Sequence, residues 1–435
     1  MKASYIRNSL LKTINSMAND PSPFVNRPGI DFSRNRRCPF SSLILLILSL
    51  ESHSLNRELR RFFKSLGTPP VSKSAFIQQR HKLNDAAFPF LFSALNASVP
   101  LKKTFRGYHL LACDGSDVDL PPLPSDDSTR VLSNTPGICY HQFHLNAVYD
   151  ILEQRYTDIL LQPRSEYNEK EALLCFLSRN PVPGSCLFIA DRGYFSLNVL
   201  ALLLRSGHGF LLRMKADDAG HSFLSRFSLP DKDGFDLPLE FSVTRSRKKA
   251  FLEHPDRYVC IRPDRAFDLI PPGDRTSVLQ FSCRIVKLAL PGGGSEFLIT
   301  NLPRDRFPKA VLRELYRLRW GIETSFRFLK YNVSLTSFHS IRRDLIRQEI
   351  YARVILYNFT MMIVRLVPPP KKDTKLSYKV SISDAIVTCR DFLIHRIKNA
   401  EITALLYRYL TDVRPGRTFP RKVRGRRYVS FNNRA

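Results

Sequence analysis

Fifteen residues, Tyr316 to Lys330, read YRLRWGIETSFRFLK and hold the densest chemistry in the chain. Pro308 lies just ahead of them and the next twenty residues contain no Pro, which suits a helix. At about 100° per residue, Tyr316, Arg319, Trp320, Glu323, Arg327 and Lys330 fall within an arc of roughly 100°. One face therefore carries a single carboxylate among cations and aromatic rings. Such a face suits metal and phosphate work, because the acid can hold an ion while the cations hold phosphates. It equally suits a solvated helix with ordinary ion pairs. Two aspartates in matched settings weigh against that second reading. HLLACDG ends an apolar run on Asp114, followed by Gly115, and SCLFIADRGY ends one on Asp191, followed by Arg192 and Gly193. A lone Asp at a strand end is ordinarily a turn-former or cap. Two of them beside an acid-bearing helix supply three carboxylates, Asp114, Asp191 and Glu323. Hard divalent ions prefer such oxygen ligands, and in-line phosphodiester transfer uses two ions about 3.5–4 Å apart.

The elements that must position these residues follow from hydrophobic pattern. Residues 1–100 read as helical. Leu55–Leu66 is amphipathic and basic, GTPP (Gly67–Pro70) breaks it, and Ser72 can cap a second helix over Lys73–Leu83. That outline could read DNA through Lys73, Gln78, Gln79, Arg80 and Lys82, or be a plain helical hairpin. Residues 101–215 alternate as strands and helices. After the strand bearing Asp114 come paired strands over Gly137–Leu152 and Arg155–Pro163, a helix over Asn168–Arg179, the strand ending on Asp191, a helix over Phe195–Arg205 and a strand over Gly209–Arg213. This β-β-β-α-β-α-β order is that of a ribonuclease H-like core, an α/β mixed sheet flanked by helices. In that fold the first and fourth strands are neighbours, which would bring Asp114 beside Asp191, at the strand ends where open α/β sheets bind ligands.

Residues 216–296 hold short β-type runs (Leu239–Thr244, Tyr258–Arg262, Val278–Leu290), PPGD and PGGG turns and the basic run RSRKK at Arg245–Lys249. They read as an all-β insertion domain. Residues 297–366 return to the core with the Tyr316–Lys330 helix and a long helical pattern over Asp344–Leu366. Residues 367–435 begin with the linker PPPKKD (Pro368–Asp373), continue as a helix over Ser383–Leu410 and end in an Arg-dense tail.

Tyr316, Arg319, Glu323 and Lys330 form Y-x2-R-x3-E-x6-K, which resembles the signature of a group of DDE insertion-sequence transposases. With the two upstream aspartates the resemblance covers about residues 70 to 425. It implies a DNA transposase that cuts at the terminal inverted repeats of its element and joins the 3′ ends to target DNA. It makes Asp114, Asp191 and Glu323 ligands of two Mg²⁺ ions, for which Mn²⁺ can substitute. It makes Tyr316, Arg319 and Lys330 phosphate-binding, and it implies an N-terminal helical domain that binds the element's ends. Partners would be double-stranded DNA and a second copy in a synaptic dimer, and the location cytoplasmic at the nucleoid. The chain departs from the group at one point. Some members stack an extruded base on a Trp from the insertion, whereas Trp320 on the signature helix is the only Trp here. Trp320, Phe251 or Tyr258 could take that part, since any aromatic face stacks a base. A ribonuclease H-like nuclease or resolvase without strand transfer, and a repressor with a dead site, are the alternatives.

Bulk properties agree with a nucleic-acid partner. The net charge is +28 over 435 residues, with a pI near 10, and that self-repulsion favours a polyanion. Eight cysteines are scattered with no C-x-x-C pair, so they read as reduced core residues rather than a zinc site. The longest apolar run, Leu43–Leu50, is far short of the roughly 20 residues a membrane span needs. Asp117 and Asp119 read as spectators. His141 and His144, three apart on a strand, should face opposite sides rather than share a metal.

Overall fold

The computed structural model describes residues 1–34, 36–123, 126–132, 139–215, 223–290, 293–367 and 377–413. The PPPKKD linker, the Arg-dense tail from Arg414, and Gly137 and Ile138 of an expected strand lie outside the described residues.

Five helices come first, α1 (Ala3–Asn19), α2 (Phe40–Ser49), α3 (Leu55–Ser65), α4 (Lys73–Arg80) and α5 (Ala87–Ser98). The Ser72 hydroxyl accepts from Ala75 N and caps α4. The core strands follow as β1 (His109–Leu120), β2 (Arg130–Leu132), β3 (Cys139–Asp150) and β4 (Arg155–Pro163). Then come α6 (Glu169–Ser178), β5 (Cys186–Ala190), α7 (Leu197–Arg205) and β6 (Gly209–Met214). The next segment supplies β7 (Phe235–Thr244), α8 (Lys249–Leu252), β8 (Tyr258–Cys260), β9 (Val278–Ala289) and β10 (Ser295–Thr300). The chain closes with α9 (Lys309–Leu318), α10 (Trp320–Tyr331), α11 (Arg343–Val364), β11 (Ser377–Val380), α12 (Ile382–Leu393), α13 (Ile402–Arg408) and β12 (Leu410–Val413).

Among the described residues one sheet runs β2-β3-β1-β5-β6-β10-β9-β7-β8, with β4 on the same edge of β3 as β2. β1, β5 and β6 are parallel neighbours. β9, β7 and β8 extend this sheet through β10, so the segment expected as a β insertion is joined edge-on to the core. The parallel strands are apolar on both sides because both faces are covered. Leu110, Ala112, Leu187, Ile189 and Leu211 join the core formed with α1–α5 and α9–α12. Their alternates Leu111, Cys113, Phe188, Ala190 and Leu212 join the core under α6 and α7.

Three sequence expectations need correction. Asp114 does not end its strand. β1 stays paired with β3 as far as Leu120↔His141, whereas β5 stops at Ala190, so a notch opens beside the second half of β1. The Tyr316–Lys330 stretch is two helices meeting at Arg319. There Arg319 N bonds Tyr316 O and Ile322 N bonds Arg319 O, tight i→i+3 steps that separate α9 from α10. The helix expected over 383–410 divides at His395, whose φ of 62° no helix accommodates.

The N-terminal helices share a core with α11 and α12. α11 is buried almost throughout, and its Glu349 accepts from Arg80 of α4 at 2.8 Å. Arg80 is 1% exposed, and it also donates to Gln348. It is thus tied into the core and is not available to read DNA. Arg245 is likewise buried, donating to the carbonyls of Ile270, Arg262 and Arg265, which leaves Arg247, Lys248 and Lys249 as the exposed part of the basic run.

Candidate active site

The parallel ladder of β1 and β5 ends at the pair Cys113↔Ala190, and the next residue on each chain is an aspartate. Neighbouring strands lie about 4.8 Å apart, so Asp114 and Asp191 stand side by side. The period of two carries both toward the face covered by α10, because Ala112 and Ile189 face that side. Arg319, at the junction of α9 and α10, reaches back to the sheet. One nitrogen donates to Asp114 Oδ2 and another to Glu323 Oε1, each at 2.8 Å. Asp114 and Glu323 are therefore within one guanidinium's span of each other. Tyr316 Oη donates to Asp191 Oδ1 at 3.3 Å, which ties the end of α9 to the third acid. Tyr156 Oη and Ser325 Oγ, 2.6 Å apart and buried, fasten α10 to β4.

The electrostatics follow from partial burial and shared cations: Arg319 serves both Asp114 and Glu323, and Arg213 stands 3.8 Å from Asp191. Burial pushes Asp114 up to about 6, Glu323 and Asp191 add to the rise, and Arg319 and the Gly115 amide oppose it. Burial works against the charge on Arg319, yet the acids around it, Asp114 first, hold its proton more tightly than usual. Burial raises Tyr316, which stays a neutral donor. A cleft of about 640 Å³ opens beside the two aspartates, lined by Asp114, Glu169, Asp191, Arg192, Gly193, Tyr194 and Lys215. Tyr316, Arg319 and Glu323 stand behind Asp114 and Asp191 rather than in its lining.

The glycines after the two aspartates have a steric reason that the sequence does not display. A Cβ on Gly115 would run into the His144 ring, and one on Gly193 into the Glu169 carboxylate. His144 donates or accepts through Nδ1 to Asp117 at 2.8 Å, and its Nε2 stands 3.7 Å from Glu169 Oε1. Burial disfavours the charged ring, but Asp117 and Glu169 prevail and raise its pKa. Glu169 opens α6, whose cap is Asn168 accepting from Lys170 N and Glu171 N. Sequence reasoning missed Glu169, which resembles any acid in a helix's first turn.

Residues 106–359 match the family model described as Transposase DDE domain. That match spans more than half of the chain. The protein belongs to the DDE transposase-domain family. Curated relatives include the InsL protein of insertion sequence element IS186A of Escherichia coli (strain K12), 30% identical over 111 residues. The matched stretch is 25% of this chain and 30% of that relative. The transposase of insertion sequence element IS421 of Escherichia coli matches at 30% identity over 25% of this chain and 29% of its own. The chain thus spans under a third of the curated relatives it matches. A solved structure of the piggyBac transposase synaptic complex with hairpin DNA aligns over 98% of this chain and 84% of its own, at a TM-score of 0.46 and 12% identity.

Within this DDE transposase-domain chain, the other expected site residues are placed as follows. Lys330 is half-buried near Asp117 and Asp119. Burial lowers its pKa and those two acids partly offset that. Asp117 is engaged by His144 and Arg164, and Asp119 by Gln142. Trp320 is 53% exposed at the start of α10. Phe251 and Tyr258 pack edge-to-face on each other, ring centroids 4.9 Å apart. His141 turns to Thr129, away from His144. Among the described residues no three His, Cys, Asp or Glu groups are close enough to hold one ion, and no helix is long and apolar enough to cross a membrane. The donor chemistry nevertheless suits a hard divalent ion.

Proposed function

We propose that the protein is a transposase that cleaves DNA at the terminal inverted repeats of its element and joins the 3′ ends to target DNA. The observation that carries this reading is the register Cys113↔Ala190, which sets Asp114 beside Asp191 with Glu323 bound to Asp114 through one arginine. The sheet order β4-β3-β1-β5-β6 supports a ribonuclease H-like core, with residues 216–296 as an insertion before the signature helices. Asp114, Asp191 and Glu323 would hold Mg²⁺, which supplies Lewis-acid stabilisation of charge on the phosphate and a more acidic water. Arg319 neutralises two of these acids and offers its guanidinium to a phosphate beside them. Tyr316 orients Asp191, and Lys330 offers a cation further along the strand. The basic rim of Arg192 and Lys215 follows the DNA backbone, and a second copy pairs the two ends.

The test uses the nucleotide sequence around the gene to find matched inverted repeats, then a duplex carrying one repeat. With Mg²⁺ the protein should release a 3′-hydroxyl at the repeat end and join it to a second duplex. Cleavage without joining makes the protein a nuclease or resolvase, and binding without cleavage makes it a repressor. Affinity for that duplex should fall with salt at a slope of about −0.9Z, with Z roughly 6; a slope of one or two contacts contradicts an extended DNA interface.

A further inference from the structure

We propose that Glu169 is a fourth acid of this site, the group that accepts the proton of the attacking water or 3′-hydroxyl. The inference rests on reading the cleft as the cleavage site. Asp114 and Asp191 lie toward the α10 face of the sheet, as does Glu323 on α10 itself. Glu169 comes from the opposite face, at the first residue of α6, and reaches the same cleft where β5 stops and β1 continues. An acid on the far side from the other three is placed to meet a nucleophile without competing for their ligand positions.

Three observations separate Glu169 from an ordinary helix-start acid. Glu171 also lies in the first turn of α6, yet it lines a neighbouring cavity, whereas Glu169 lines the cleft with Asp114 and Asp191. Gly193, two residues after Asp191, has no side chain, and any Cβ there would displace the Glu169 carboxylate. His144, only 6% exposed, has an Nε2 with no hydrogen-bond partner, and that atom faces Glu169 Oε1 at 3.7 Å. Asp117 fixes the ring from its other nitrogen. A buried imidazole thus stands 3.7 Å from a carboxylate that lines the cleft.

The step balances without a further reagent. The water oxygen bonds to the scissile phosphorus and the bond from phosphorus to the 3′ oxygen breaks. The proton lost by water passes to Glu169, and the departing 3′ oxygen takes one from solvent, leaving a 3′-hydroxyl and a 5′-phosphate. In joining, the 3′ oxygen bonds to a phosphorus of the target strand and the bond from that phosphorus to its own 3′ oxygen breaks. The proton of the attacking hydroxyl goes to the same carboxylate, and the departing target 3′ oxygen takes one from solvent. Glu169, partly open to solvent, then releases its proton.

The experiment measures single-turnover cleavage of the terminal-repeat duplex by the full chain with Mg²⁺, alongside duplex affinity, melting temperature and Mn²⁺ bound to the protein–DNA complex. Glu169→Gln should slow cleavage about 10²–10⁴-fold, the usual worth of a positioned base, with affinity, melting and bound Mn²⁺ unchanged. Gly193→Ala should slow cleavage when Glu169 is present and add no further loss to Glu169→Ala, since it acts only through that side chain. A Glu169→Gln rate within tenfold of wild type overturns the inference. So does an equal Gly193→Ala cost in both backgrounds, or loss of Mn²⁺ from Glu169→Gln, which would make the residue an ion ligand. If wild type cleaves and Asp191→Asn does not, any of these results leaves the cleft reading standing. If wild type does not cleave, or Asp191→Asn cleaves as well as it does, the cleft reading falls and the inference with it.

Discussion

Two assemblies in this molecule join arginine to carboxylate at 2.8 Å, and they differ in charge balance. In the helical core, Glu349 is surrounded by Arg80, Arg353 and His339, all buried, and the His339 amide donates to it as well. Burial alone would raise its pKa, but Arg80 first, with the His339 hydrogen bond and Arg353, prevails and holds it well below the usual carboxylate range. At the cleft one guanidinium is divided between Asp114 and Glu323, Arg213 stands 3.8 Å from Asp191, and Asp114 moves the other way, up to about 6. The first assembly is closed and cation-rich, and its donors converge on one acid. The second is open and acid-rich, a condition that costs stability unless another cation or a substrate completes it. The same pair chemistry thus fastens helices in one place and leaves binding capacity in the other.

Substitution should separate the two most sharply through activity. Asp191→Asn and Glu323→Gln are expected to lower cleavage by about 10³-fold or more, as for groups that act as a unit, while the melting temperature and duplex affinity stay near wild type. Unfolding of either variant at wild-type working temperature would break the comparison. Glu349→Gln or Arg80→Ala should behave in the reverse sense. Each leaves a buried charge without its partner, so urea unfolding should show a loss of about 3–5 kcal/mol. A loss under 1 kcal/mol would mean that the helical network is not what holds α4 to α11.

Acid provides the next effect in size. The folded pKa of Glu349 lies below its ordinary value of 4.5, so its contribution is fully present above that value and fades as pH falls below it. Stability of the wild type should therefore drop below about pH 4.5 more steeply than that of Glu349→Gln, by up to about 1.4 kcal/mol per pH unit for the one proton concerned. Parallel curves for the two proteins would remove Glu349 from the account of acid unfolding.

Much of this contrast was legible in the sequence on one side only. Asp114, Asp191 and Glu323 announce themselves because apolar runs stop on acids and a helix face mixes one acid with cations. The Glu349 network does not, since Arg80 and Glu349 are 269 residues apart and a lone Arg near a helix end looks like a DNA contact. Arg245 likewise opens a basic run in the sequence yet is buried among backbone carbonyls. Periodicity located most helices and strands, but the length of β1 depended on pairing with β3, which no local pattern encodes. The break at Arg319 was passed over as well: Gly321 nearby weakens a helix, but an isolated Gly is tolerated in one and does not by itself place a break. Glu169 was missed for a related reason: helix-start acids are common, and only the three-dimensional notch beside Asp191 singles one out.

The smallest expected effect tests the comparison at its centre, the two arginines. Arg319→Ala removes the cation shared by Asp114 and Glu323, whose side chains are 17% and 29% exposed. Water can reach them in part, so the loss should be about 1–3 kcal/mol, as for hydrogen bonds to charged groups, and less than for Arg80→Ala. The decisive feature is rescue. If the cleft acids are vacant ligands once the guanidinium is gone, Mg²⁺ should stabilise Arg319→Ala by RT ln(1 + [Mg²⁺]/Kd), about 2.7 kcal/mol at a hundredfold excess over Kd. Arg80→Ala should gain nothing, because Glu349 is sealed among His339, Arg353 and apolar side chains with no path for an ion. Melting curves of both variants with and without Mg²⁺ make the measurement. Equal rescue of both, or of neither, would mean that the open and closed assemblies do not differ in the way their charge balance implies.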